Sequence, residues 1–110
     1  MSLAFRTSSV ELEGKVLHCG VLELENAVLA LFWEGEGPKL GSTTVTLPGM
    51  ASSQLLGDRD QLLGRVLGTH LATKTGKMSL VSTHLSQGYS EAVGKTLLDL
   101  ARRLTENEKK

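Results

Sequence analysis

Residues 55–77 read LLGDRDQLLGRVLGTHLATKTGK and contain the signals for the start, the body and the end of one helix. Asp58 can accept a hydrogen bond from the amide three residues on, and Gln61 can reach back to the Asp58 amide, as in a capping box. Lys74 falls in the expected last turn, where a cation suits the helix dipole, and Gly76 can adopt the left-handed conformation that ends a helix. We therefore predict a helix that begins at Asp58 and ends at Gly76.

Apolar residues recur at spacings of three and four along two segments, which predicts two amphipathic helices. In the first helix the expected buried stripe consists of Leu62, Leu63, Val66, Leu67, His70 and Leu71. In the second, from about Ser90 to Thr105, it consists of Val93, Leu97, Leu100, Ala101 and Leu104. Each stripe has to be buried against another layer of the protein.

Four strand-like runs precede the first helix. They cover Arg6 to Leu12, Val16 to Glu25, Ala27 to Trp33 and Ser42 to Leu47. The third run is continuously apolar, which predicts a central strand that needs covering material on both of its faces. Met50 to Gly57 is compatible with a loop or with a short strand, and Met78 to Leu85 predicts a strand after the first helix.

These elements predict an α+β domain that spans residues 1–110, with antiparallel β-sheet layers and two amphipathic helices in the order β-β-β-β-α-β-α. Two helices cover a limited area of sheet. Sheet faces or edges that stay exposed invite pairing, so a second copy or a related chain is expected to cover what remains.

Composition excludes several classes of function. Twelve basic residues balance twelve acidic ones, and the four aromatic residues are scattered, so nucleic acid is not an expected partner. The single cysteine, Cys19, allows no internal disulfide. The sequence contains no apolar run long enough for a membrane span or a secretion signal, so we expect a cytoplasmic protein that also has access to the nucleus.

No catalytic, cofactor-binding or metal-binding set is predicted, and we expect a protein that is not an enzyme. The stretch from Gly88 to Thr96 ends in Gly-Lys-Thr, but it has five residues between its glycines where a phosphate-binding loop has four. His18, His70 and His84 fall on different elements. A small enzyme that uses Lys95 with Ser90, or His70 with a nearby carboxylate, is the remaining catalytic alternative.

Four parts of the sequence carry a resemblance to a known family: residues 31–35, residues 55–58, the helix with Leu63, Arg65 and Leu71, and residues 74–76. In these residues and in their order, from about Val10 to Leu104, the chain resembles the fourth proteasome assembly chaperone family of eukaryotes. The fourth strand is rich in threonine here, where the family has alanine.

The resemblance implies a chaperone without enzymatic activity that pairs with a related assembly chaperone. The heterodimer would bind α-subunits of the 20S core particle and promote formation of the α-ring, and the isolated chain would be able to form a homodimer. Candidate partner-binding residues are Trp33, Glu34, Gly35, Pro38, Lys39 and Leu40. A tryptophan beside a glycine-rich loop is a plausible hot spot, although a core position for Trp33 is the favoured interpretation.

A second hypothesis is a dimeric scaffold module similar to roadblock and longin domains, which regulates a small GTPase or a trafficking complex. Such modules also combine a small antiparallel sheet with helices. Their helices usually come earlier in the chain, whereas the first helix predicted here starts only after residue 57.

Overall fold

The computed structural model describes residues 3–57, 61–86 and 90–106. Its elements are β1 (Arg6–Leu12), β2 (Lys15–Glu23), β3 (Ala27–Glu34), β4 (Ser42–Thr46), β5 (Ser52–Leu56), α1 (Gln61–Thr75), β6 (Met78–His84) and α2 (Glu91–Glu106). Within these ranges neither helix is long and apolar enough to cross a membrane.

The six strands form one sheet in the order β1-β2-β3-β6-β4-β5. All neighbours are antiparallel except β3 and β6, which are parallel. The α+β class is confirmed, but the sheet is mixed and not wholly antiparallel as predicted. The reason is that the chain returns through α1, and this crossover places β6 between β3 and β4 in the direction of β3.

The ambiguous segment from Met50 to Gly57 contains a strand, so five strands and not four precede α1. A turn, in which the Met50 N–H donates to the Leu47 carbonyl at 3.0 Å, reverses the chain after β4. The Gln54 side-chain amide donates to the carbonyls of Leu56 and Gly57 at 2.9 and 3.1 Å, which fixes the end of β5.

Both helices lie on the same face of the sheet. α1 packs on β4 and β6, α2 packs on β2 and β1, and the two helices contact each other. The core between them and the sheet includes Cys19, Val28, Ala30, Phe32, Leu63, Leu67, Leu71, Val81, Leu97 and Leu100. The stripe predicted for α2 is confirmed, since Leu97, Leu100, Ala101 and Leu104 are buried and Val93 is partly buried.

The buried face of α1 is rotated from the predicted one. Leu63, Leu67 and Leu71 are buried, but the rest of that face consists of Gly64, Gly68 and Ala72. Of the other residues in the predicted stripe, Leu62 is 49% exposed, and Val66 and His70 are partly exposed.

The rotation has a steric cause in β4. A Cβ atom at Gly64 would lie 2.5 Å from Thr44 Oγ1, and one at Gly68 would lie 2.6 Å from Thr46 Oγ1. The Ser79 hydroxyl donates to the Gly68 carbonyl at 2.8 Å. The helix thus approaches the threonine-rich strand with its backbone, and side chains larger than glycine do not fit there.

The predicted end of α1 is confirmed. The helix ends at Thr75, Gly76 has φ 71°, and its N–H donates to the Ala72 carbonyl at 2.8 Å. The cap predicted at Asp58 lies outside the described residues. In α2, Ser90 caps the first turn by accepting a hydrogen bond from the Val93 N–H at 3.2 Å.

We predict that Gly68→Ala destabilises the protein although alanine favours helix by about 1 kcal/mol. Threonine side chains are stiff, so the overlap with Thr46 should cost about 1–3 kcal/mol, with a net loss in the free energy of unfolding measured with urea. Gly68→Ala/Thr46→Ala should recover part of this loss, and Thr69→Ala, on the exposed side, should not destabilise. If Gly68→Ala alone is as stable as the parent, the close approach of α1 to β4 is contradicted.

We also predict that Leu67→Asp abolishes soluble expression, because it places an unpaired carboxylate in the core. Leu62→Asp, five residues earlier on the exposed side, should express and fold normally. Soluble yield and far-ultraviolet circular dichroism of the pair check which side of α1 is buried. Equal behaviour of the two variants would mean that the helix face is wrongly assigned.

Candidate functional site

The sheet face opposite the helices is apolar and is left uncovered by the described residues. Side chains alternate along each strand, so the neighbours of the core residues point to this second face. We call it the open face and define it by its large aliphatic side chains, Leu22, Leu29, Leu31, Val45 and Leu80, all of which are partly exposed.

Strand register arranges the open face in rows across the sheet. Leu22 pairs with Leu29, Leu29 with Leu80, and Leu80 with Val45, which makes a continuous aliphatic row over four strands. The next row contains Gly20, Leu31, Ser82 and Thr43. A continuous apolar surface of this kind is unusual for a protein that remains alone in water.

An aromatic cluster closes one end of the open face. The rings of His18 and Trp33 stack with centroids 5.1 Å apart and an interplanar angle of 12°. Phe5 and Trp33 both lie over Gly20, where each has an atom 3.5 Å from the position of a Cβ. Trp33 is 7% exposed, whereas Phe5 is 43% exposed and extends the apolar surface.

Trp33 has an unused hydrogen-bonding group. Its indole N–H is buried and has no hydrogen-bond partner among the described residues. On one side its neighbour His18 shares a 2.7 Å hydrogen bond with Ser9, and on the other side Trp33 pairs with His84. Polar groups therefore border the cluster while the indole N–H itself remains unsatisfied.

Glu34 follows Trp33 and is held in place by the chain beyond β6. Its carboxylate accepts hydrogen bonds from the Ser86 N–H at 3.2 Å and from the Ser86 hydroxyl at 2.9 Å, and Lys15 Nζ lies 3.9 Å away. Desolvation raises the pKa of Glu34, but the hydrogen bonds from Ser86 and the charges of Lys15 and His84 outweigh it and hold this pKa below its usual value.

The six predicted partner-binding residues are divided between two environments. Trp33 is buried, as the favoured interpretation had it, and Glu34 is half-buried. Gly35, Pro38, Lys39 and Leu40 are exposed in the loop between β3 and β4, with Leu40 64% exposed. Their role in binding stays a prediction.

The aliphatic residues of the open face were missed as candidate contacts. The signal was present, because a continuously apolar β3 predicted covering material on both faces. In the described residues the helices cover one face of β3 and leave Leu29 and Leu31 on the other. Among the described residues, the open face is therefore the side of β3 that lacks the predicted cover.

The residues considered for catalysis lie on the two helices and form no described catalytic set. Ser90 is the cap of α2, Lys95 is exposed on α2, and His70 lies on α1. Gly94, Lys95 and Thr96 lie inside α2, and Gly88 is outside the described residues. Burial raises the pKa of the Cys19 thiol to about 12, so this thiol is not a ready nucleophile. The described ranges contain no cluster of metal-ligating side chains.

Comparison with known proteins gives a match in structure alone. No family model matches the chain, and no curated protein is significantly similar to it in sequence. Among solved structures it is similar to a chain in the crystal structure of a novel chaperone complex for yeast 20S proteasome assembly. The TM-score is 0.69 at 15% identity, over 99% of this chain and 98% of that one. The two chains share a fold over their whole length.

We predict that Glu34→Gln lowers the free energy of unfolding by about 0.5–1.5 kcal/mol near neutral pH. The folded-state pKa is lowered, so the contribution of Glu34 is complete above the ordinary glutamate pKa of about 4.3 and is lost as pH falls through the folded-state value. The free energies of unfolding of the parent and of Glu34→Gln, measured with urea near neutral pH and at about pH 3, should therefore converge in acid. Glu36→Gln, exposed in the adjoining loop, is the control. If the difference in the free energy of unfolding between the parent and Glu34→Gln grows in acid, the lowered pKa of Glu34 is contradicted.

Proposed function

We propose that this chain is a proteasome assembly chaperone without enzymatic activity, related to the fourth assembly chaperone family, and that it works as one half of a heterodimer. The heterodimer binds α-subunits of the 20S core particle and promotes assembly of the α-ring. The protein acts in the cytoplasm and also in the nucleus.

The open face is the observation that carries this proposal. Its aliphatic row crosses four strands, and leaving it in water opposes stability, since apolar surface contributes about 25 cal/mol per Å² when it is buried. A partner that covers this face removes that cost. The resemblance of the sequence to the chaperone family and the similarity in fold to a chain of a chaperone complex support the identity of the partner.

A second sheet is the cover that fits the open face best. Two sheets pack face to face at about 10 Å with interdigitated aliphatic side chains, and a continuous row of Leu and Val residues suits this arrangement. A related chaperone offers such a sheet. The product is a sandwich of two sheets with the helices of each protomer on the outside.

The α-subunits need a surface that remains accessible after the sheets have paired. In the loop between β3 and β4, Gly35, Pro38, Lys39 and Leu40 are exposed. We assign the predicted contacts with the α-subunit to these residues. Trp33 is not itself assigned as a contact, because it is buried.

We predict that the tagged chain, expressed in eukaryotic cells, co-purifies with a second chaperone of similar size and with a proteasome α-subunit. Leu80→Glu should reduce recovery of the second chaperone at least tenfold, because it places a charge in the centre of the open face. Mass spectrometry of the purified complex provides the measurement. Recovery of no proteasome component by the parent chain would overturn the proposal.

Matched variants separate the interface from the fold. Leu62→Glu makes the same change on the exposed side of α1 and should retain the second chaperone. Circular dichroism shows whether Leu80→Glu is folded. If it is not, Leu31→Ser provides a milder change on the open face with which the test can still be made. Retention of the chaperone by folded open-face variants would refute the sheet-to-sheet arrangement.

A further inference from the structure

The loop between β3 and β4 has both of its ends at the same place in the sheet. β6 lies between these two strands, so the chain that joins them has to pass the end of β6. Trp33, near the end of β3, pairs with His84. Ser42, at the start of β4, pairs with Thr83. Residues 82–86 are therefore placed to hold the loop at both ends.

Ser86 holds the first end of the loop through Glu34. The Ser86 hydroxyl donates to the Glu34 carboxylate at 2.9 Å, and the Ser86 N–H donates to the same carboxylate at 3.2 Å. Lys15 Nζ donates to the Ser86 hydroxyl at 2.9 Å. The Gly35 N–H adds a hydrogen bond to the Val16 carbonyl at 3.3 Å. Hydrogen bonds to charged groups are stronger than neutral ones, so this end of the loop is firmly held.

Gly41 holds the second end of the loop by direct contact with the backbone of β6. A Cβ atom at this position would overlap the Thr83 carbonyl oxygen and would lie 3.0 Å from the His84 Cα atom. The Gly41 N–H donates to the Ser82 hydroxyl at 2.8 Å, and the Gly41 carbonyl accepts from the Thr43 hydroxyl at 2.9 Å. A larger residue does not fit here unless β6 moves.

Leu40 is exposed to solvent directly before this glycine. Its side chain is 64% exposed, although it is large and aliphatic. The loop also carries one acidic and one basic residue, Glu36 and Lys39, and both are exposed. Exposed charges contribute little to an interface, whereas burial of an aliphatic side chain removes apolar surface from water. Leu40 is therefore the residue of the loop that gains most from contact with a partner.

Fixed ends limit the shapes that residues 35–40 can adopt before a partner is bound. Pro38 restricts the backbone further, because its ring fixes φ. A segment that is already in its bound shape loses little conformational entropy on binding, and its affinity is higher for that reason. The groups that hold the two ends therefore contribute to binding through the loop.

We propose that Leu40 is the anchor of the loop and enters an apolar pocket of the α-subunit, and that Ser86 and Gly41 are positioning residues. They hold the loop in its binding shape before the α-subunit arrives. This inference rests on the proposed function, in which the exposed loop contacts the α-subunit, and it adds which side chain binds and what positions it.

Backbone order in the loop is the first test and needs no partner. Relaxation of the ¹⁵N-labelled whole chain should give order parameters near the rigid value of about 0.85 for the amides of residues 35–40. Ser86→Ala should lower them toward about 0.6, because the first end of the loop is released. Ser86→Thr keeps the hydroxyl and should keep the rigid values. Ser53→Ala, exposed on β5, is the control and should match the parent.

Affinity for α-subunits is the second test. Each α-subunit of the 20S core particle is expressed separately, and its Kd is measured against the complex of this chain with the second chaperone. For the α-subunit that binds the parent most tightly, Leu40→Ser should raise the Kd at least tenfold. Ser86→Ala should raise it about threefold to tenfold, and Ser86→Thr should restore the parent value. Met50→Ser changes an equally exposed aliphatic side chain, 64% exposed, and should leave the Kd unchanged.

The outcomes separate this inference from the proposed function. If the parent complex binds an α-subunit and Leu40→Ser binds it equally well, the anchor is refuted and the proposed function stands. If Ser86→Ala changes neither the order of the loop nor the Kd, the positioning role is refuted. Should Ser86→Ala fail to fold, Glu34→Gln removes the carboxylate from the same hydrogen bonds and replaces it in both tests. A parent complex that binds no α-subunit overturns the proposed function and this inference together.

Discussion

The contact of Gly64 and Gly68 with Thr44 and Thr46 determines how the layers of this protein are arranged. It brings the backbone of α1 against β4 and leaves no room for a Cβ at either glycine. With α1 held over β4 and β6, α2 fills the remaining area over β1 and β2. Both helices then lie on one face of the sheet. The same packing that completes the core leaves the open face without a cover among the described residues.

Apolar periodicity could not find that contact. It gives weight to large side chains, so it placed Leu62 and Val66 in the buried stripe and ignored glycines, which are poor helix formers. The threonines of β4 were assigned correctly to a strand from their propensity, but propensity does not say that their hydroxyls face a helix. The contact between the glycines of α1 and the short, stiff threonines of β4 becomes visible only when the helix and the strand are seen together.

Other features follow from local signals and were predicted well. The end of α1 depends on one glycine, the stripe of α2 on its spacing, and the central position of β3 on an unbroken apolar run. The insertion of β6 beside β3 depends on contacts between residues some fifty positions apart, such as Ala30 with Val81, which no local pattern encodes. For the same reason, the apolar run of β3 predicted a cover on both faces without showing which face the helices leave open.

The open face can recognise a partner by apolar contact and not by long-range charge. Aliphatic side chains on a sheet provide binding energy with little direction, so the shape of the partner and the aromatic cluster at Trp33 must fix its position. Equal numbers of acidic and basic residues give this surface no long-range field. Selectivity for a partner therefore depends on how well its surface fits the aliphatic row and the aromatic cluster.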